Sequence, residues 1–179
     1  MKTEQIPPGL AGYWRDVLVR EDGTRIDSGW HRNQIQNSYA NILTSFLRRE
    51  LVFTPEGFMQ CAVGSGLVGW DVTSPVQSRG DTTLTTEFFR KALGTVNMTY
   101  RDPTTFADVT PTITNVVQMN CTFLPGEATG DHREWGIFGG NATGIADSGF
   151  MWNWVVVPVF TKAAGDTLLR SARFIFPIV

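Results

Sequence analysis

Hydrophobic residues recur along this chain in two rhythms. Over Thr112–Phe123 they alternate: Ile113, Val117, Met119, Cys121 and Phe123 fall on one side, Thr112, Thr114, Gln118, Asn120 and Thr122 on the other. That period of two predicts a half-buried strand in an antiparallel sheet. From Asn33 the step lengthens to three and four. Ile35, Tyr39, Ile42, Leu43, Phe46, Leu47 and Leu51 line one face of a helix predicted over 34–51, and Asn37, Asn41, Thr44, Ser45 and Arg48 fill the other. A third segment, Phe150–Phe160, is apolar at both parities. Even positions carry Phe150, Trp152, Trp154, Val156 and Phe160, and odd positions Met151, Val155, Val157 and Val159. Both faces of such a strand must be covered, either by two layers of one domain or by its own core and a neighbouring subunit. Trp152 and Trp154 are predicted to share a face. With Val157 and Phe160 they are the candidate interface residues. Pro158 cannot donate to a ladder, which points to an edge or a bulge at that end.

The remaining elements follow from local signals. Residues 1–12 hold Pro7, Pro8 and Gly9 and little to bury, so they read as an extended arm, with Pro7 and Pro8 as further candidate contacts. A hairpin over 13–30 turns at Glu21–Thr24, where Asp22-Gly23 supplies positive φ. Phe58–Val63 is a buried strand running into Gly64-Ser65-Gly66, and a loop continues to Gly80. Asp81 is placed to cap a short helix over about 81–92, with Leu84 and Phe88 inward and Glu87 and Lys91 as a surface pair. Val96–Arg101, Arg133–Phe138 and Thr167–Ile178 read as strands, the last with Leu168, Ala172, Phe174 and Phe176 on one face. The expected architecture is a mainly β, antiparallel sandwich-like single domain over 13–179, with one longer and one short helix.

Composition narrows the functional classes. The chain has 179 residues, enough for one domain with a real core. Charged residues are 18% and aromatic residues 12%, with a net charge of −2. Low charge with many aromatics favours a protein whose surface is partly covered by a partner, and gives no basis for binding nucleic acid or inserting in a membrane. The longest apolar stretches carry Asn153, Pro158 and Lys162, and the N-terminus lacks the apolar core of a signal peptide. Synthesis in a reducing cytoplasm is expected. Cys61 and Cys121 lie in apolar runs as small core residues, and a disulfide between neighbouring strands stays open.

Candidate chemistry is sparse. His31 and His132 have no nucleophile and acid that the sequence places beside them. Gly64-Ser65-Gly66 lacks the third glycine and the immediate helix of a dinucleotide fingerprint. Asp71, Asp81 and the 102–108 loop lack the alternating ligands of a calcium loop. The six tryptophans could form a sugar-stacking shelf, or serve as core and interface anchors. The expectation is a non-enzyme without cofactor or metal.

Five segments, in order, carry a resemblance. Trp30-His31-Arg32-Asn33-Gln34-Ile35 precedes the helix; Cys61-Ala62-Val63-Gly64-Ser65-Gly66 forms a strand and turn. Thr82–Arg90 holds Leu84, Glu87 and Arg90 at fixed spacing; Arg133-Glu134-Trp135-Gly136-Ile137-Phe138 follows; and Phe150–Lys162 closes on Lys162. Together they resemble the tail-collar fibre, or tail-fibre attachment, domain of tailed bacteriophages, over roughly Trp30 to Phe176. The resemblance implies a virion-attached assembly domain, trimeric or ring-forming, that binds itself and neighbouring tail, baseplate or fibre proteins. It marks Gly64, Gly66, Leu84, Glu87, Arg90, Glu134 and Lys162 as structural motif residues. Glu87 and Arg90 can pair with each other or with Arg133 and Glu134. The chain departs by ending where a fibre shaft would begin and by adding a hairpin and arm before Trp30. A connector, collar or baseplate component is therefore expected, with a receptor- or glycan-binding module of the tail as the alternative.

Overall fold

Two strands set the frame. β1 (Ala11–Val19) and β10 (Thr167–Ile175) pair antiparallel along their whole length, from Ala11 opposite Ile175 to Val19 opposite Thr167. A computed structural model describes residues 10–48 and 56–177. Beyond β10 the sheet continues through β7 (Val116–Phe123) to β6 (Met98–Tyr100). On its other side β1 pairs β2 (Arg25–Asp27) at one end and β3 (His31–Ile35) at the other. β3 then crosses to β9 (Phe150–Lys162), which leads through β8 (Gly130–Gly140) and β4 (Glu56–Gly64) to β5 (Glu87–Ala92). All pairings are antiparallel, and the ten strands form one continuous, mainly β, sandwich-like fold.

The sheet folds over at β3, so that its halves enclose one core. β4, β8 and β9 contribute Phe58, Cys61, Val63, Trp135, Ile137, Trp152 and Val155 from one side. β1, β7 and β10 contribute Trp14, Leu18, Met119, Cys121, Phe123, Leu168, Ala172 and Phe174 from the other. Ring contacts tie the layers: Phe58 to Phe174 at 4.7 Å and Phe89 to Phe123 at 6.0 Å. Cys61 and Cys121 are both buried and free. Asp16 of β1 and Arg170 of β10, opposite each other in the ladder, form a buried ion pair through two hydrogen bonds of 2.8 and 2.9 Å. Arg170 also lies 5.0 Å over the Trp135 ring.

Several expectations are corrected. The longer helix, α1, spans Ser38–Arg48; Asn33–Ile35 belong to β3. Tyr39 and Leu43 pack on the core as expected, but Leu47 is exposed, and Leu51 lies outside the described residues. The short helix over 81–92 does not form. Asp81 accepts from the Ser78 amide instead of capping forward, and Glu87–Ala92 is an edge strand on β4. The β-branched run Thr82-Thr83, Thr85-Thr86 disfavours a helix, and pairing with β4 decides the matter. Glu87 and Lys91 do not pair; Lys91 bonds Glu127 at 2.5 Å. Residues Ala11 and Gly12, assigned to the arm, are the first of β1, and Pro7 and Pro8 lie outside the described residues.

Trp152 and Trp154 lie on opposite faces. Phe138 pairs Met151 while Ile137 pairs Asn153, so Trp152 is the extra residue of a β-bulge. The Ile137 amide, left without a ladder partner, donates to Asn153 Oδ1 at 3.0 Å, which explains a fully buried Asn in an apolar strand. A second irregularity sets Val157-Pro158-Val159 against Arg133 alone. Pro158 therefore marks a break in pairing, as its missing N–H requires.

Candidate docking face

The outer surface of β4, β8 and β9 is covered by the chain itself. Ala62, Phe138, Met151 and Trp154 form a second apolar cluster with Leu84, from the segment before β5, and Ala142, from the segment after β8. The motif residues converge here and build the cover.

Glu134 is fully buried, and its carboxylate is satisfied by three donors. The Thr85 and Thr86 amides approach at 3.1 and 2.8 Å, and Trp154 Nε1 at 2.9 Å. Charge-assisted bonds of this kind pin the Thr85–Thr86 backbone over the sheet, which sets Leu84 into the cluster. Gly64 is required beside it, because a Cβ there would sit 2.6 Å from Glu134 Oε1. Gly66 has φ +53°, and a Cβ would meet the Trp70 ring at 2.5 Å. Trp70 in turn packs edge-on against Trp154 at 6.1 Å.

Arg133 reaches Asp71 with both fork nitrogens, at 2.7 and 2.9 Å, and fastens the 3-10 turn Val68–Asp71. The hydrogen bonds and charge of Arg133 hold Asp71 below the usual carboxylate range, and Arg133 donates also to the Ser65 carbonyl at 3.2 Å. Glu87 and Arg90 bond each other twice at 2.7 Å. Residues three apart on a strand normally face opposite ways. A bulge at Phe88 (Val63 pairs Phe89, Gly64 pairs Glu87) brings the two onto one face. Arg90 then donates to the carbonyls of Thr143 and Ser148 and lies 4.3 Å over Phe138, which anchors the 141–149 loop.

The anchored 67–76 loop turns aliphatic side chains outward. Leu67 and Val68 are exposed, Val72 is 91% exposed and Val76 96% exposed. Ile145 is exposed on the second loop. Several large aliphatic side chains exposed on one braced loop are a physical mark of an interaction surface.

The interface residues expected on β9 lie elsewhere. Trp152, Trp154 and Val157 are buried in the chain's own clusters. Phe160 is half-buried, stacked on His132 at 5.0 Å, beside a shallow apolar groove with Ile26 and Val159. The free edge of β9 at this groove is blunted by Pro158 and by Arg20, which donates to the Thr161 carbonyl at 2.9 Å and to Asp166 at 2.7 Å. Lys162 is also apart from the other motif residues. Its ammonium donates to the Leu124 carbonyl at 3.0 Å, and burial lowers its pKa against the opposing effect of Asp166 and Glu127. The outward loop residues were missed in the sequence, although Leu67-Val68, Val72 and Val76 stand out in a stretch whose other residues are Gly, Ser, Thr, Pro, Asp and Trp70.

Enzymatic constellations do not assemble around either histidine. His31 is exposed, with Nε2 at 2.6 Å from the Ser28 carbonyl. His132 is fully buried and donates from Nε2 to the Ala128 carbonyl at 2.9 Å. Among the described residues no group of three or more His, Cys, Asp or Glu could hold a metal, and no helix is long and apolar enough to cross a membrane. Nor do the tryptophans form a shelf. Four are buried, Trp70 lies under the 67–76 loop, and Trp30 is covered by Arg173 at 4.2 Å.

No protein-family model matches this sequence, and no curated protein is significantly similar to it.

Proposed function

We propose that this chain is a non-catalytic structural subunit of a bacteriophage tail, a collar, baseplate or tail-fibre connector that associates with copies of itself and docks neighbouring virion proteins. The observation that carries the proposal is the outward presentation of Leu67, Val68, Val72 and Val76 on a fastened loop. An exposed aliphatic loop is an aggregation hazard unless something covers it, and here the Arg133–Asp71 pair fastens the loop while Trp70 packs on Trp154, itself bonded to buried Glu134. Arg133, Glu134 and Trp154 fall in the segments through which the sequence resembles tail-attachment domains. A structural role gives those residues a reason: they brace a surface, and no reacting group is needed.

Light scattering after size exclusion tests self-association. A trimer or ring is expected at micromolar concentration, and Val72→Asp with Val76→Asp is expected to shift it to monomer at an unchanged Tm. A wild-type chain that is monodisperse and monomeric would remove self-association from the proposal. Antibody against the chain, imaged on tailed phage particles, is expected to decorate one level of the tail. Decoration of no level would remove the virion role.

A further inference from the structure

A cavity of about 560 Å³ opens where β3 leaves β1 and crosses to β9. It adjoins the braced 67–76 loop at Gln77, and its chemistry differs. Arg32 and Arg79 both line it, and no acidic side chain does among the described residues. Both arginines are exposed, and neither has an ion-pair partner there. Four amide side chains, Asn33, Gln34, Asn37 and Gln77, complete the polar wall. Gln77 Nε2 is already spent on the Trp154 carbonyl at 2.9 Å, which leaves its oxygen as an acceptor.

One observation points to a ligand and not to a solvated cleft. Both amide atoms of Asn33 are shut from solvent with no hydrogen-bond partner among the described residues, although the residue lines the cavity. Buried amides without partners are uncommon because each costs free energy until something bonds it. A turn of Asn33 toward the cavity would present it to a bound molecule.

Size and lining narrow the class. The volume lies in the range of small-molecule sites and far exceeds one phosphate or sulfate. Amides both donate and accept, which matches hydroxyl groups. Unpaired guanidiniums match a carboxylate. Tyr39 adds an aromatic ring to the same wall. We propose that this cavity binds a sugar acid, its carboxylate on Arg32 and Arg79 and its hydroxyls on Asn33, Gln34, Asn37 and Gln77. This site adjoins the docking face through Gln77, and its ligand goes beyond the assembly role.

Isothermal titration of the full chain with glucuronate, glucose, glutarate and a tetraglutamate peptide tests it. Glucuronate is expected to bind saturably and at least about tenfold tighter than glucose or glutarate, with a loss of about tenfold in R32Q and in R79Q. Neither arginine supports the fold through an ion pair, so both variants should keep the wild-type Tm. The proposal is overturned by no saturable binding, by glucose or glutarate matching glucuronate, or by tighter binding of the peptide. Unchanged affinity in both arginine variants overturns it as well.

Discussion

His132 should make this protein acid-sensitive above the range where carboxylates titrate. The imidazole is fully buried between Phe160, stacked at 5.0 Å, and Phe88, edge-on at 5.3 Å. Its Nε2 donates to the Ala128 carbonyl, so the neutral tautomer leaves Nδ1 bare, and Nδ1 has no partner. Burial pushes its pKa down to about 3, and the Arg170 and Lys162 charges add to the effect. In the unfolded chain the ring returns to about 6.5. The folded state therefore binds fewer protons, so stability is full above pH 6.5 and falls as pH drops toward 3. The difference from a non-titrating ring is about 2 kcal/mol at pH 5, and approaches roughly 5 kcal/mol at the bottom of the window. Urea unfolding of wild type and H132Q, at pH steps from 8 to 4, isolates this contribution, because carboxylates such as Asp27 and Asp71 are common to both. Wild type should lose stability relative to H132Q from pH 6.5 downward. Parallel curves would refute the burial argument, as would an imidazole that titrates near 6.5 by NMR in the folded state.

D16N should cost about 3–5 kcal/mol in chemical denaturation, because Arg170 is left buried without its counter-charge; a loss under 1 kcal/mol would show that Arg170 finds another partner or water. E134Q should cost about 2–3 kcal/mol and speed hydrogen exchange at the Thr85 and Thr86 amides, since the carboxamide turns one acceptor into a donor facing them. Unchanged exchange at those two amides would separate Glu134 from the bracing of the loop. Cys61 is fully buried and its thiol pKa is raised by burial, so a disulfide reagent should titrate neither Cys61 nor Cys121 until the protein unfolds. Reaction of the native protein within minutes would contradict the packing of both layers.

Much of the fold was legible because its dominant patterns are local. The alternation predicted over Thr112–Phe123 holds only from Met119 on: Met119, Cys121 and Phe123 are buried and Asn120 and Thr122 half-exposed, but β7 starts at Val116, Ile113 before it is exposed, and Val116 and Gln118 are buried while Val117 is half-buried. β9 was found from its apolarity, and the turn at Asp22-Gly23 from its chemistry, with Gly23 at φ +85°. The failures have one physical source. Segment 81–92 carries a helix-like spacing of Leu84, Phe88 and Glu87, Lys91, yet Glu87–Ala92 forms a strand because β4 offers an open edge and Glu134 holds the preceding amides. Both partners are distant in sequence, and no window of twelve residues contains them. The break of α1 at Ser38 is similar. Asn33–Ile35 have the helical period, but β1 and β9 supply ladders on both sides.

The bulges explain why the candidate site was harder to read than the fold. Parity arguments assume an unbroken period of two, and each bulge reverses them. In β9 one extra residue sends Trp152 inward and Trp154 outward. In β5 one extra residue puts Glu87 and Arg90 side by side. Asn153 and Pro158, the two residues that interrupt β9's apolarity, sit at its irregularities, so an out-of-place polar residue or proline was the available warning. A strand apolar at both parities must be covered twice, and the second cover here is the chain's own 67–86 and 141–149 segments. Those segments carry apolar residues of two kinds: Trp70 and Leu84 seal the sheet, while Val72 and Val76 add nothing to that seal. Side chains that neither fill the core nor solvate well need another account. A partner surface on the loops gives one, which moves the predicted contact outward from β9 to the layer that covers it.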